Sequence, residues 1–266
     1  NATPFAEARF AALTDVGCVR TNNEDAVAVD ETRALAVLAD GMGGYNAGEV
    51  ASAMAVERIG AELGRWLDQA TADTTAHQVL HAMEDCTDRA NRAIFEAANT
   101  HADCAGMGTT VVLALLWRDQ VLVGHVGDSR AYRWRKGVLT QLTRDHSLLQ
   151  EQLDAGLITP EQAAHSGYRS WVTRALGVED TVLLETHLHE VQAGDTYLMC
   201  SDGLSDMLDD AMMARLLQTN DSLPSAGQAL IAAANEAGGK DNIALILVRV
   251  AGGPTGAARP WWKFGR

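Results

Sequence analysis

Acidic residues recur at loop positions along this chain, in surroundings that suit a hard divalent cation. Asp40 closes a short apolar run, Leu35 to Ala39, and is followed by Gly41-Met42-Gly43-Gly44. Such a run reads as a buried strand. The glycines permit a positive-φ turn and bring backbone amides and carbonyls close to whatever the carboxylate holds. Carboxylate and carbonyl oxygens are the ligands that Mg²⁺ and Mn²⁺ prefer. On its own, Asp40-Gly41 reads as a plain turn, but Asp202 and Asp128 end two further strand-like runs, Tyr197 to Ser201 and Val121 to Gly127. Asp241 sits where the run Ile243 to Val250 begins, and Glu24-Asp25 close the loop that starts near Thr14. If the fold converges these positions, they build a site for more than one metal ion.

The ordered set Arg20…Asn23-Glu24-Asp25, Ala39-Asp40-Gly41-Met42-Gly43-Gly44, Gly106-Met107-Gly108-Thr109-Thr110, Gly127-Asp128-Ser129-Arg130, Ser201-Asp202-Gly203 and Asp241-Asn242 resembles the metal-dependent protein phosphatases of the PP2C (PPM) type, bacterial branch. The resemblance runs from about Ala8 to Val250. It implies hydrolysis of phosphoserine and phosphothreonine in proteins by a metal-activated water, with two core Mn²⁺ or Mg²⁺ ions and room for a third. By that resemblance Asp40 bridges the core ions, Asp202 and Asp241 complete the first ion's protein ligands, and the Gly41 carbonyl serves the second. Glu24 and Asp25 hold metal waters, and Asp128 and Asp206, with Asp202, match a weaker third site. Arg20 is the phosphate clamp, since a guanidinium offers a planar fork to two phosphate oxygens; the alternative is a structural pair with Glu24 or Asp25. Met42 stands where many eukaryotic relatives carry a proton-donating His, so the general acid is open. Tyr45 replaces a His frequent in bacterial members.

With 266 residues, 47% of them apolar, the chain can bury a sizeable core. The net charge of −14 argues against a nucleic-acid or anionic-membrane surface, which would need a basic face. Four cysteines, Cys18, Cys86, Cys104 and Cys200, show no C-x-x-C spacing, so reduced thiols in a cytoplasmic protein are expected. There is no signal-peptide pattern and no apolar run of about 18 residues, so no transmembrane segment is expected. Phosphoprotein substrates and a cognate Ser/Thr kinase are the expected partners of what should be a monomer. The competing readings are a phosphoprotein-binding module without catalysis and a hydrolase of small phosphoesters. Intact Asp40, Asp202 and Asp241 speak against the first.

The elements that must position these residues follow from periodicity. Strands are expected at 8–13, 26–29, 35–39, 109–117, 120–126, 131–134, 138–142, 181–189, 195–200 and 242–250, with hairpin turns at Asp119 and Lys136-Gly137. Helical stripes cover 47–68, 77–99, 209–217 and 225–237. Grouped strands with paired helices favour an α+β fold, and the resemblance implies a four-layer α-β-β-α sandwich of two antiparallel sheets. One domain is expected over 1–250, followed by a flexible tail, 251–266, whose Trp261, Trp262 and Phe264 alternate with basic residues. Within the domain, 144–176 breaks the β pattern with short helical pieces at 147–155 and 160–164. The resemblance implies a flap there, whose Tyr168, Arg169 and Trp171 would contact residues beside the phosphorylated one; the alternative is that Trp171 and Val172 are core of a small subdomain. His125 reads as a buried, hydrogen-bonded residue, and His77, His81, His187 and His189 as surface residues.

Overall fold

The computed structural model describes residues 7–44, 47–164 and 171–251. Tyr45, Tyr168, Arg169 and the aromatic tail lie outside the described residues. Two antiparallel sheets carry the fold. One has the order β1 (Ala8–Asp15), β11 (Ile243–Val250), β10 (Thr196–Cys200), β7 (Arg130–Arg135), β8 (Val138–Gln141). The other runs β2 (Asp25–Asp30), β3 (Leu35–Met42), β5 (Val111–Trp117), β6 (Gln120–Val126), β9 (Glu185–Glu190), with β4 (Gly108–Thr109) paired to the end of β3.

Three apolar layers bind four layers of structure. Between the sheets, Leu38, Val112, Val121 and Val123 meet Met199, Ala244 and Ile246. Outside the second sheet, α1 (Ala47–Leu67) and α2 (Ala76–Thr100) bury Ile59, Leu63, Met83 and Ile94 against Val37, Leu113 and Leu115. Outside the first, α6 (Asp210–Thr219) and α7 (Leu223–Glu236) bury Met213, Leu217 and Leu230 against Leu198 and Leu245. Burial on both faces explains why β5 reads Val-Val-Leu-Ala-Leu-Leu-Trp without alternation. Local signals set the helix starts: Thr75 and Gln78 form a capping box at α2, and Ser222 caps α7.

Several boundaries differ from those expected, each for a local reason. The strand through Asp40 does not turn at Gly41 but continues to Met42, because β4 pairs with it, Gly41 opposite Thr109. Glycine is required at 41 by contact rather than by a turn: a Cβ there would collide with the Gly48 carbonyl at the start of α1. The run 109–117 is interrupted at Thr110, whose side chain accepts a hydrogen bond from the Asp40 amide at 3.1 Å. The strand expected from 181 begins only at Glu185. Its partner β6 ends at Val126, where the chain crosses to the other sheet through Gly127-Asp128-Ser129. A short helix, α5 (Asp202–Ser205), was not apparent from periodicity, being a single turn. The 144–176 segment holds α3 (Leu148–Asp154), capped by Ser147, and α4 (Pro160–Ala164). No helix among the described residues is long and apolar enough to cross a membrane.

The tightest join in this frame lies between α5 and the start of β11, where a Cβ on Gly203 would collide with the Asn242 carbonyl. Because that obstacle is backbone, Gly203→Ala should force the two apart and destabilise the protein by about 1–3 kcal/mol. The urea midpoint measures this; a change within about 0.5 kcal/mol, the range of an ordinary surface substitution, would contradict the packing.

Candidate active site

The acidic residues named from the sequence meet at one end of the two sheets. Antiparallel pairing of β2 and β3 sets Asp25 opposite Asp40. Across the inter-sheet space, Ser201 at the end of β10 donates its hydroxyl to Asp25 Oδ2 at 2.7 Å and accepts from the Ala244 amide at 2.9 Å. This contact stitches the carboxylate-bearing ends of both sheets together. An open cleft of about 520 Å³ is lined by Arg20, Glu24, Asp40, Asp128, Asp202 and Asp241, with Gly41 and Met42 on its wall and Trp171 and Val172 from the 144–176 segment. A second pocket of about 360 Å³ shares Asp128 and Asp202 with it and adds Asp206, Asp145, Asp209 and Asp210.

The loop carrying Arg20 and Glu24 is held by one buried side chain. Asn242 accepts from the Glu24 amide at 2.8 Å and donates to the carbonyls of Val16 and Asn22 at 3.0 and 2.8 Å. Both oxygens of Asp241 are engaged. The Asn242 amide donates to Oδ1 at 2.8 Å, and Arg20 donates to Oδ2, also at 2.8 Å. Arg20 therefore pairs with Asp241, not with Glu24 or Asp25, and both partners remain partly exposed. The Asp128 loop is tied to the start of the 144–176 segment: Gly127 donates to His146 Nδ1 at 3.1 Å and its carbonyl accepts from the His146 amide at 2.9 Å. Arg130 grips Asp145 through Nε and Nη2 at 2.9 and 2.7 Å.

Crowding and burial strain this set electrostatically. Burial, reinforced by Asp25, Asp202, Asp128 and Asp241, pushes Asp40 well above the usual carboxylate range. Burial likewise raises Asp25 to about 7, with Asp202 and Asp241 adding to the effect against the Ser201 hydrogen bond. Asp128 rises to about 8 through burial, Asp202, Asp145 and Asp206, and Asp202 to about 6 through burial, Asp206 and Asp241. Glu24 is raised mainly by burial, which Arg20 opposes. Among the described residues lining the cleft, Arg20 alone is cationic.

Residues 19–247 match the family model described as Protein phosphatase 2C. The chain is 39% identical over 238 residues to the Serine/threonine phosphatase stp of Listeria innocua, covering 88% of this chain and 93% of that protein. The Mycobacterium tuberculosis serine/threonine phosphatase PstP/Ppp superposes with a TM-score of 0.81 at 38% identity, over 92% of this chain and 99% of that one. The catalytic domain of PstP solved with two manganese ions superposes at a TM-score of 0.79 and 37% identity, over 92% and 98%.

The chain belongs to the protein phosphatase 2C family. Membership makes it an enzyme, a metal-dependent protein phosphatase, and the donor set agrees. Carboxylates lining one cleft, with Asp25 Oδ1 buried and lacking a hydrogen-bond partner among the described residues, suit hard divalent cations, which prefer oxygen ligands. Three residues that hold this acidic cleft together, Thr110, Ser201 and Asn242, stood inside the quoted motifs without a role. Their work is hydrogen bonding across chain separations that no local pattern reveals.

The pH dependence of stability follows from the raised acids. A carboxyl whose folded pKa exceeds its unfolded value binds more protons in the native state, so stability falls as pH rises toward the folded value. Between pH 6.5 and 8, Asp25 and Asp128, at about 7 and about 8, are the carboxyls in their titration window. Metal-free protein in EDTA should therefore lose thermal stability over that interval, and excess Mn²⁺ should restore more at pH 8 than at pH 6.5. A melting temperature in EDTA that rises across the interval would contradict the assignment.

Proposed function

We propose that the acidic cleft is where this metal-dependent serine/threonine protein phosphatase binds and hydrolyses phosphoserine and phosphothreonine in its protein substrates. The observation that carries the reading is the convergence of Asp40, Asp202, Asp241 and Asp128 on one open cleft whose lining offers Arg20 as its cation. Asp40, Asp202, Asp241 and the Gly41 carbonyl would hold two Mn²⁺ or Mg²⁺ ions, and Asp128 and Asp206 with Asp202 a third. When bound, such ions lower the pKa of a water and neutralise the oxygens of the transferring phosphoryl group.

The remaining roles belong to the chain itself. Asp40 carries the central charge, and Glu24 and Asp25 flank it as acceptors for ordered water. Arg20 occupies Asp241 Oδ2, an oxygen that a cation would take. With Asp241 holding a cation, Arg20 would be free to present its planar fork to the substrate phosphate. Met42 lines the cleft but has no proton to give, so protonation of the leaving alkoxide falls to solvent or to one of the raised acids. Trp171, 56% exposed at the cleft rim, offers an apolar surface to the residues beside the phosphorylated one.

The domain spans residues 1–250, with 144–176 as a flap whose root is fixed by Asp145 and His146. It acts as a monomer against a cognate Ser/Thr kinase, a reading that rests on the family's activity on phosphoproteins. Cytoplasmic placement fits Cys86 and Cys200, both buried and free.

Two measurements test the roles. Phosphopeptide hydrolysis should require Mn²⁺ or Mg²⁺, favour phosphoserine and phosphothreonine over phosphotyrosine, and be nearly abolished in a folded Asp40→Ala variant; full activity in that variant would remove Asp40 from the site. Arg20→Ala should raise KM roughly ten- to hundredfold, the equivalent of a charge-assisted contact of about 1.5–3 kcal/mol, with a smaller change in kcat. Unchanged KM and kcat would reduce Arg20 to a structural partner of Asp241.

A further inference from the structure

Outside the lining of the acidic cleft, a nitrogen-rich cluster sits on β6 and β9 of the second sheet. His125 on β6 stands opposite Glu185 on β9, and His187 lies two residues further along β9. Alternation places His125 on the side of Val121 and Val123, which face the inter-sheet core. A ring nitrogen of His125, a carboxylate oxygen of Glu185 and a ring nitrogen of His187 all lie within 4.8 Å of one another. The rings of His146, His125 and His187 stack in sequence, with centroids 4.6 and 5.9 Å apart.

The hydrogen bonds fix the state of each group. His125 is fully buried and its Nε2 lies 2.7 Å from the Arg144 carbonyl, which can only accept, so Nε2 carries the proton. Its Nδ1 is then a lone-pair nitrogen, buried without a hydrogen-bond partner among the described residues. An unpaired buried acceptor carries a desolvation cost that a ligand would remove. Burial, with His146 and His187 nearby, also lowers the His125 pKa. His146 accepts from the Gly127 amide at Nδ1, so its Nε2–H donates to Glu185 Oε2 at 3.0 Å. Burial opposes ionisation of Glu185, but His146 and the rings of His125 and His187 hold it below its usual range. The other carboxylate oxygen, Oε1, meets His187 Nε2 at 3.0 Å.

We propose that His125, Glu185 and His187 form a binding site for a transition-metal ion of Zn²⁺ type, separate from the oxygen-ligand ions of the acidic cleft. Two imidazoles and one carboxylate are a recognised Zn²⁺ set, with a fourth position left for water. The outer contacts such ligands need are already made: the Arg144 carbonyl orients His125, and His146 orients Glu185. Tetrahedral Zn²⁺ at about 2.0–2.1 Å per ligand needs donor atoms roughly 3.4 Å apart, so the three must draw in slightly. Glu185 and His187 are half-buried on an edge strand, where side chains can adjust. Mg²⁺ and Mn²⁺ do not compete strongly for imidazole, so the two kinds of site divide the metals between them.

The test is Zn²⁺ titration of the full chain in excess Mg²⁺, read by competition with a chromophoric chelator. Wild type should bind one more equivalent of Zn²⁺ than His187→Ala, and Glu185→Gln should weaken that equivalent at least about tenfold. Both substitutions are at half-buried positions, and unchanged circular dichroism would establish that each variant is folded. Identical isotherms in wild type, His187→Ala and Glu185→Gln would overturn the proposal. So would loss of the same equivalent in Asp40→Asn, which would place the ion in the acidic cleft.

Discussion

Mutual repulsion among carboxylates held at the end of a closely packed sandwich is the constraint on which this structure turns. Asp40, Asp25, Asp202 and Asp128 are raised by burial first and by one another second. Like charges this close cannot all ionise in a medium less polar than water. The chain therefore holds them partly protonated or opposes them with positive charge, and Arg20 is the one cation it supplies to the cleft wall among the described residues. Divalent ions resolve the conflict, and the same concentration of field makes the site useful for an anionic phosphoryl group.

The scaffold is arranged to hold that repulsion in place. Backbone pairing fixes Asp25 against Asp40, Ser201 bridges the two sheets at Asp25, and Asn242 pins the Arg20–Glu24 loop beside Asp241. The two side-chain contacts join segments far apart in sequence, 176 residues for Ser201 with Asp25 and 218 for Asn242 with Glu24. Distant anchoring suits a site whose members repel, because no single loop can relax without breaking a bond to another. The close backbone joins at Gly41 and Gly203 serve the same end by removing slack.

Much of this was legible in the residues. Apolar runs ending in aspartate located the carboxylate-bearing strand ends that line the cleft, and their order along the chain carried the family resemblance. The two-sheet sandwich followed from that resemblance, since grouped strands and paired helices indicated only an α+β fold. What stayed hidden depended on partners distant in sequence. Gly41 read as a turn, but β4 extends the strand through it. Arg20 was weighed against Glu24 and Asp25, yet its ion pair is with Asp241, 221 residues away. His187 and His189 read as surface residues because a polar-apolar edge strand looks the same whether its histidines face water or a stack of other histidines.

The central claim is that the cleft carboxyls hold protons until divalent ions displace them. Proton release on Mn²⁺ binding, followed by pH-stat titration of metal-free protein, measures this directly. At pH 7 saturation should release at least about one proton per chain, and release should be smaller at pH 9, where Asp25 and Asp128, raised to about 7 and about 8, are already mostly ionised. Stoichiometric Mn²⁺ binding at pH 7 without proton release would contradict it.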